Sequence, residues 1–175
     1  MGISLTLKSL LCVAGLVLSA GAPPATASGG TNSSEPSASA PIFDPAAEYR
    51  SGIKALQAQR FADAQRSFAQ VLRVAPRDAN TNYLAGLADA GLNDLKKARV
   101  HYERAVKADR DMVLAHRELA VTYAKLGERP KAEGELAVLT QFNVACAGRC
   151  AKATELTQAL AAVRAALAST PGVRP

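Results

Sequence analysis

The chain has 175 residues, enough for one modest domain, and only 5% of them are aromatic. Lys and Arg number 21 against 15 Asp and Glu, which gives a formal net charge of +6. The basic residues are scattered among acidic ones, and only Lys96 and Lys97 are adjacent. Because nucleic-acid-binding domains concentrate their cations on one stripe, we expect no nucleic-acid partner.

Residues 1–27 have the layout of a secretory signal peptide. One cation and no acid precede an apolar run at residues 9–20, and an A-x-A cleavage motif follows at Ala25–Ala27. A helix of that run spans only ~20 Å, short of the ~30 Å hydrocarbon core of a bilayer. We therefore expect cleavage after Ala27, with Ala22 as the alternative site, and no transmembrane helix in the mature chain.

Residues 28–44 are rich in Gly, Ser, Thr and Pro, a composition typical of a flexible, disordered linker. The whole chain has 13 Arg to 8 Lys and abundant Ala, which favours a bacterial source with a GC-rich genome. The expected location is therefore outside the cytoplasm, in the periplasm if the bacterium is Gram-negative.

From residue 45 onward, small and apolar residues return at intervals of 34 residues. The three clearest series are Ala64, Ala98 and Ala132; Gly52, Gly86 and Ala120; and Phe68, Tyr102 and Leu136. A constant period of this length is typical of stacked helical hairpins. In such a stack the small residues let helices approach closely, and we expect the larger series to fill the gap between one hairpin and the next.

The period predicts an all-α domain over about residues 45–168, built from three hairpins and a final helix. The hairpins are expected at about 45–78, 79–112 and 113–146, the final helix at about 150–168, and a tail at 169–175. The predicted hairpin helices are 46–58, 61–74, 80–92, 95–108, 114–126 and 130–141, with Asp94 as an N-cap. Leu156, Leu160, Val163 and Leu167 form one stripe of the final helix, so we expect it to cap the stack.

These residues resemble the tetratricopeptide repeat (TPR) family. The second helix of each hairpin carries the match, as with Ala64 and Phe68 in the first hairpin. The resemblance implies a right-handed superhelix whose first helices line a concave groove. The first helices depart from the family pattern, because Glu48, Asn82 and His116 stand where the family often has Trp.

By the register of the family, nine side chains face this groove. They are Tyr49, Ile53 and Leu56, then Tyr83, Leu87 and Ala90, then Arg117, Val121 and Lys125. Such a groove begins aromatic and aliphatic and ends basic, which suits a peptide or protein segment with an apolar stretch and an acidic end. The alternative is that the two tyrosines pack within the stack or against the linker. Ile53 and Leu87 stand where the family's chaperone-tail clamp has Lys and Asn, so that ligand is not expected.

Cys146 and Cys150 are the two cysteines that remain after export. In an oxidising compartment so close a pair predicts a disulfide, which would fix the angle at which the final helix docks. A thiol-exchange pair is the alternative, although the C-x-x-C spacing is absent. A c-type haem would need C-x-x-C-H and a zinc ion would need two further ligands, so we expect no cofactor and no metal.

The sequence contains no nucleophile-elbow, phosphate-loop or zinc-protease motif. We therefore expect no enzyme, but a non-catalytic exported adaptor or scaffold that binds a protein partner in the groove. Two alternatives stay open: a redox helper that acts through Cys146 and Cys150, and a subunit of an envelope assembly complex. A homo-oligomer is compatible with all three readings.

Overall fold

The computed structural model describes residues 43–170, which form seven α-helices and no strand. The helices are α1 (Pro45–Gln57), α2 (Phe61–Val74), α3 (Ala79–Gly91), α4 (Leu95–Ala108), α5 (Val113–Lys125), α6 (Arg129–Cys146) and α7 (Ala153–Ser169). The predicted signal peptide, nearly all of the predicted linker and residues 171–175 of the tail lie outside the described residues. Within residues 43–170, every helix is too short or too polar to span a lipid bilayer.

The helices form three hairpins, α1–α2, α3–α4 and α5–α6, which stack in chain order. The second helix of each of the first two hairpins packs against the first helix of the next. Ala64, Ala98 and Ala132 are all fully buried, so they occupy equivalent places in the three hairpins. The predicted all-α fold of three hairpins and a capping helix is confirmed.

The final helix, α7, closes the stack by packing against both α5 and α6. Its predicted apolar stripe is its buried face, with Leu156, Leu160, Val163 and Leu167 at most 7% exposed. The start of α7 is also tied to the α4–α5 turn, and its end to α6 of the third hairpin. Near its start, Lys152 Nζ donates to the Asp111 carbonyl oxygen at 2.8 Å, and near its end Arg129 Nη1 donates to the Leu167 carbonyl oxygen at 2.9 Å.

Most predicted helix ends agree with the structure to within one residue, but α6 is longer than expected. It runs to Cys146 rather than ending at residue 141. Phe142 in this extra turn packs edge-on against the ring of His116, with 5.6 Å between ring centroids. The helix ends where Ala147 and Gly148 adopt left-handed φ angles of 47° and 71°. As a result α7 begins at residue 153, later than the predicted start.

The N-cap positions of three helices, α1, α3 and α4, are filled by Asp. Asp78 accepts a hydrogen bond from the Thr81 amide at 2.7 Å. Asp44, which the sequence places at the end of the linker, accepts a hydrogen bond from the Ala46 amide at 2.9 Å. Asp94 accepts from the Lys97 amide at 3.2 Å, as predicted. Each carboxylate satisfies an amide that has no partner inside its helix. Asp44 therefore belongs to the helical domain.

In two hairpins a glycine of the first helix lies directly against an aromatic ring of the second. A Cβ on Gly52 would lie 2.6 Å from Phe68 Cε1, and a Cβ on Gly86 would lie 2.5 Å from Tyr102 Cε1. Both rings are fully buried. The prediction that these rings fill the gap between hairpins is therefore incomplete. Each ring first fills its own hairpin, where only glycine leaves room for it.

The third hairpin builds the same contact from different residues. Here Ala120 stands in place of the glycine and is fully buried, while Leu136 stands in place of the ring and is half-buried. A methyl group on the first helix is thus accompanied by a smaller, flexible side chain on the second. The volume shared by the two positions is conserved, which is what a close-packed interior requires.

Asn82 and His116, which replace the family's Trp, are buried and hydrogen-bonded. Each reaches back six residues to a carbonyl of the preceding turn. Asn82 Nδ2 donates to the Pro76 oxygen at 3.1 Å, and His116 Nε2 donates to the Arg110 oxygen at 2.9 Å. The second and third hairpins therefore fasten the turn before them by polar contacts rather than by a large apolar ring.

The surroundings of His116 favour its positively charged form. Its Nδ1 lies 2.6 Å from Glu135 Oε2 and its Nε2 lies 2.9 Å from the Arg110 carbonyl oxygen. Only the imidazolium can donate from both ring nitrogens. Burial alone would lower the pKa of His116, but the hydrogen bonds to Glu135 and Arg110 outweigh burial and raise it above its ordinary value.

Cys146, the last residue of α6, is joined by a disulfide to Cys150 in the turn that follows. Cys146 is half-buried and packs against the core that contains the buried face of α7, whereas Cys150 is exposed. The bond therefore constrains the turn from which α7 leaves the third hairpin.

Replacing Gly86 by Ala should destabilise the protein by roughly 1–3 kcal/mol, because the new methyl group overlaps the buried Tyr102 ring. Adding Tyr102→Leu imitates the Ala120–Leu136 pair, so the double variant should be more stable than the two single changes predict together. Urea unfolding measures both effects. Gly134→Ala is the control, because nothing lies within 4 Å of its Cβ, and it should stabilise α6 by ~1 kcal/mol. An equal gain from Gly86→Ala would contradict the contact.

Replacing His116 by Gln should cost stability mainly at low pH. Because the pKa of His116 is raised in the folded protein, its contribution is complete below the unfolded value of about 6.5 and is lost as the pH rises through the folded value. Urea unfolding of the parent and the variant from about pH 5 to about pH 9 measures the difference.

His101→Gln is the matched control for this experiment. Burial lowers the pKa of His101, and Asp89 only partly offsets the effect. The contribution of His101 should therefore be complete above about pH 6.5 and be lost as the pH falls. A stability difference for His116→Gln that grows with pH would refute the charge assigned to this residue.

Reducing the Cys146–Cys150 bond should lower the free energy of unfolding by about 2 kcal/mol, the loop-entropy value for so short a ring. Urea unfolding with and without reductant measures the loss. The double variant Cys146→Ser, Cys150→Ser should have the same free energy of unfolding as the reduced protein, and reductant should not change it. Two freely titrating thiols in the protein as isolated would rule the bridge out.

Candidate functional site

The first helices of the three hairpins present a row of side chains on the face that the second helices leave free. We call this row the inner wall, and it consists of the nine predicted groove residues: Tyr49, Ile53, Leu56, Tyr83, Leu87, Ala90, Arg117, Val121 and Lys125. Eight of them are half-buried and only Lys125 is exposed. The inner wall is therefore anchored in the core along one edge and open along the other.

The two tyrosines of the inner wall rest on the rings that fill the hairpins. Tyr49 meets Phe68 edge-on with 6.1 Å between ring centroids, and Tyr83 meets Tyr102 at 6.2 Å. Each tyrosine thus packs within the stack, as the alternative expectation had it, and keeps part of its surface exposed. The close glycine contacts set how deep the supporting rings lie, and so position the tyrosines.

Both tyrosines keep their phenolic protons at neutral pH. Burial raises the pKa of Tyr49, and the Asp78 carboxylate raises it further. Burial also raises the pKa of Tyr83, with further contributions from Glu118 and Glu155 that Arg117 partly opposes. A neutral phenol can donate a hydrogen bond to a carbonyl oxygen, such as one on the backbone of a bound peptide.

An open cleft of about 390 Å³ lies beside Tyr49. It is lined by Pro45, Ala46, Tyr49 and Arg50 of α1, by Val71 of α2, and by Asp78, Asn80 and Thr81 at the start of α3. The Arg50 guanidinium lies 3.8 Å from the Asp44 carboxylate in an exposed ion pair, which contributes little stability by itself. This end of the inner wall therefore offers an aromatic surface with charges of both signs at its rim.

The other end of the inner wall is less basic than the sequence suggests. Arg117 Nε donates to Glu118 Oε1 at 2.8 Å, and Arg117 Nη2 lies 2.6 Å from the same oxygen. Glu155 of α7 is close enough to influence Tyr83. The charge of Arg117 is thus balanced locally, and Lys125 is the inner-wall cation without an ion pair among residues 43–170. The wall as a whole is apolar with a nearly neutral end.

Sequence reasoning missed the two carboxylates, Glu118 and Glu155. Adjacent residues on a helix diverge, so local rules gave no reason to pair Arg117 with Glu118. Glu155 belongs to α7, and only the docking of that helix beside α5 brings it towards Tyr83. No spacing in the sequence carries that information.

The chain offers little for metal or redox chemistry in its described part. Within residues 43–170, no three His, Cys, Asp or Glu side chains are grouped closely enough to hold a metal ion. His101 and His116 belong to different hairpins. Each is hydrogen-bonded within its own hairpin, His101 to Asn82 and His116 to Glu135. The Cys146–Cys150 bond lies in the turn before α7, on elements separate from the inner wall.

No protein-family model and no curated protein matches the sequence. Several solved structures share its architecture. The TPR2B domain of yeast Sti1, in its pHsp70 complex, gives a TM-score of 0.58 at 20% identity over 69% of this chain and 96% of that chain. MamA from Desulfovibrio magneticus RS-1, from residue 41 to its end, gives 0.51 at 25% identity over 65% of this chain and 56% of that chain.

The yeast Sti1 TPR2AB domain, in its pHSP90 complex, gives a TM-score of 0.56 at 19% identity, over 69% of this chain and 46% of that chain. The chain therefore spans about half the length of the MamA and TPR2AB structures. The likeness concerns the path of the backbone and does not transfer a ligand. The chain folds as a tetratricopeptide-repeat solenoid, a right-handed superhelix of three hairpins closed by a capping helix.

Proposed function

We propose that this protein is an exported, non-catalytic adaptor that binds a segment of a partner protein along its inner wall. The observation that carries the proposal is the row of half-buried apolar side chains that the three first helices present at 34-residue intervals. Tyr49, Ile53, Tyr83, Leu87 and Val121 would each be buried further by a bound segment. Tyrosine is enriched among the few residues that carry most of the binding energy of protein interfaces.

The polar groups of the inner wall indicate which partner segment fits. The two tyrosines can donate to backbone carbonyls of an extended segment, and neighbouring apolar positions can take its side chains. Because Glu118 balances Arg117, a strongly acidic end is not needed, in contrast to the expectation from sequence. The favoured segment is apolar, with weak or mixed charge.

Two of the similar structures support a binding role, because they are complexes. The TPR2B domain of Sti1 is complexed with pHsp70 and the TPR2AB domain with pHSP90. Our proposal extends to this chain only the use of the same fold to hold a partner. The partner here would be different, since Ile53 and Leu87 occupy the places where the chaperone-tail clamp needs Lys and Asn.

Two observations support export. The first 27 residues have the pattern of a signal peptide. The second observation is the Cys146–Cys150 disulfide, because such bonds persist in oxidising compartments such as the bacterial periplasm. In our proposal the adaptor works in the periplasm of a Gram-negative bacterium.

Photo-crosslinking tests the proposed function. A photoreactive residue at Ile53, Leu87 or Val121 should capture one and the same partner segment in the native cells, because these positions share one face. The control position is Val144, an apolar side chain that is 71% exposed and lies on α6 away from the inner wall. Mass spectrometry of the crosslinked peptides identifies the segment and would reveal a second copy of the chain if the protein pairs with itself.

Leu87→Glu should reduce capture by about tenfold, since it places a charge where the partner's apolar side chain would be desolvated. Val144→Glu, the same change outside the inner wall, should leave capture unchanged. Circular dichroism checks that both variants stay helical. Undiminished capture by a helical Leu87→Glu variant, or equal capture from Val144, would exclude the inner wall as the binding site.

A further inference from the structure

A second concave surface lies at the loop edge of the stack, between the α2–α3 turn and the end of α4. We call it the basic cleft. It has a volume of about 550 Å³ and is lined by Pro76, Arg77, Arg104, Lys107 and Ala108. None of these residues belongs to the inner wall, and the proposed adaptor function does not use them.

The three cations of the basic cleft have no acidic partners. Within residues 43–170, no carboxylate oxygen lies within 4.0 Å of Arg77, Arg104 or Lys107. Other cations among residues 43–170, such as Lys54 and Arg164, also lack an ion pair, so what distinguishes these three is that they line one concavity. Three unpaired like charges around one concavity concentrate positive potential there.

The two walls of the basic cleft are held together by a buried polar contact. Asn82 is fully buried, and its Nδ2 donates to the carbonyl oxygens of Pro76 at 3.1 Å and Asp78 at 2.8 Å, the residues on either side of Arg77. These two bonds orient Asn82 Oδ1 towards His101 Nδ1, which donates to it across 3.3 Å. Asn82 thereby fastens the turn to α4.

This contact matters because Arg104 and Lys107 follow His101 along α4. Arg77 on the turn and these two residues on the helix would repel one another if the walls were free to separate. The network of Asn82 fixes the spacing of the turn and the helix that carry them. Fixing that spacing in advance lowers the entropy lost when an anion arrives.

The equivalent positions of the other two hairpins differ in charge. Thirty-four residues earlier, a cleft of about 360 Å³ is lined by Phe43, Gln70, Arg73 and Val74. Thirty-four residues later, the equivalent positions hold Asp111, Val138, Gln141 and Phe142. The concavity is thus seen at this place in the first hairpin as well, but three cations occur there only in the second. Their clustering is a property of this position and not of the repeat.

We infer that the basic cleft binds an acidic segment of a partner protein, with Arg77, Arg104 and Lys107 receiving its carboxylates. The neighbouring first cleft adds an apolar contact, since Phe43 and Val74 are 43% and 57% exposed. A protein segment can present both an acidic run and an apolar side chain. A nucleic acid would continue its phosphates past the cleft towards Asp111, where the charge has the wrong sign.

Fluorescence anisotropy with a short labelled peptide of glutamates and one leucine tests this inference on the full chain. The matched peptide has glutamine in place of each glutamate. The glutamate peptide should bind and the glutamine peptide should not, and binding should weaken as salt screens the charges. A labelled single-stranded DNA oligonucleotide serves as the competing probe and should bind less tightly than the glutamate peptide.

The double variant Arg104→Gln, Lys107→Gln should bind the glutamate peptide about tenfold more weakly, because it removes two of the three charges. The control is Lys54→Gln, Arg164→Gln, which removes the same charges from exposed, unpaired positions on α1 and α7. It should change the affinity by less than about twofold. All four residues are exposed, and thermal unfolding checks that both variants remain folded.

Three results would overturn the inference. Equal losses in the two double variants would show that the peptide responds only to net charge. Tighter binding of the oligonucleotide, lost in the Arg104→Gln, Lys107→Gln variant, would make the cleft a nucleic-acid site. Loss of peptide binding in Leu87→Glu would place the peptide on the inner wall instead.

Discussion

The contact between a glycine of the first helix and an aromatic ring of the second determines how the hairpins of this protein are built. Without a side chain at Gly52 and Gly86, the rings of Phe68 and Tyr102 lie against the helix backbone and are fully buried. The inner-wall tyrosines then rest on those rings. The positions of the inner-wall tyrosines thus depend on a steric relation made by a glycine on the next turn of the same helix.

The departures from the family pattern have a physical reason in the structure. Where the family uses a large ring, this chain uses Asn82 and His116, and both are buried and hydrogen-bonded to a carbonyl of the preceding turn. A buried polar side chain is tolerated when its donors and acceptors have partners. Asn82 and His116 therefore depart from the family pattern, and their hydrogen bonds fix the α2–α3 and α4–α5 turns to the hairpins that follow them.

The period predicted the fold because the steric demand on Ala64, Ala98 and Ala132 recurs with the chain. It could not predict the length of α6, which depends on a contact between Phe142 and His116 on different helices. The same register assigned residues to the inner wall. It could not assign the charge of that wall, because the carboxylate that influences Tyr83 from α7 arrives only through the docking of that helix.

The basic cleft could not be predicted from the sequence either. Its cations come from a turn and from the end of a distant helix, separated along the chain by acidic residues that point elsewhere. Scattered charge in a sequence is therefore a poor guide to charge on a solenoid, where residues one repeat apart become neighbours. The sequence does show that the second hairpin differs from the others, because the positions 34 residues before and after Arg77, Arg104 and Lys107 do not hold three cations.

The two histidines give the stack an uneven response to acid. Protonation strengthens the third hairpin through His116, whose pKa is raised, and it weakens the second through His101, whose pKa is lowered. The two contributions therefore have opposite signs in the free energy of the whole domain. Mild acidification should loosen the middle hairpin relative to the last one, a local difference that hydrogen exchange resolves and overall melting does not.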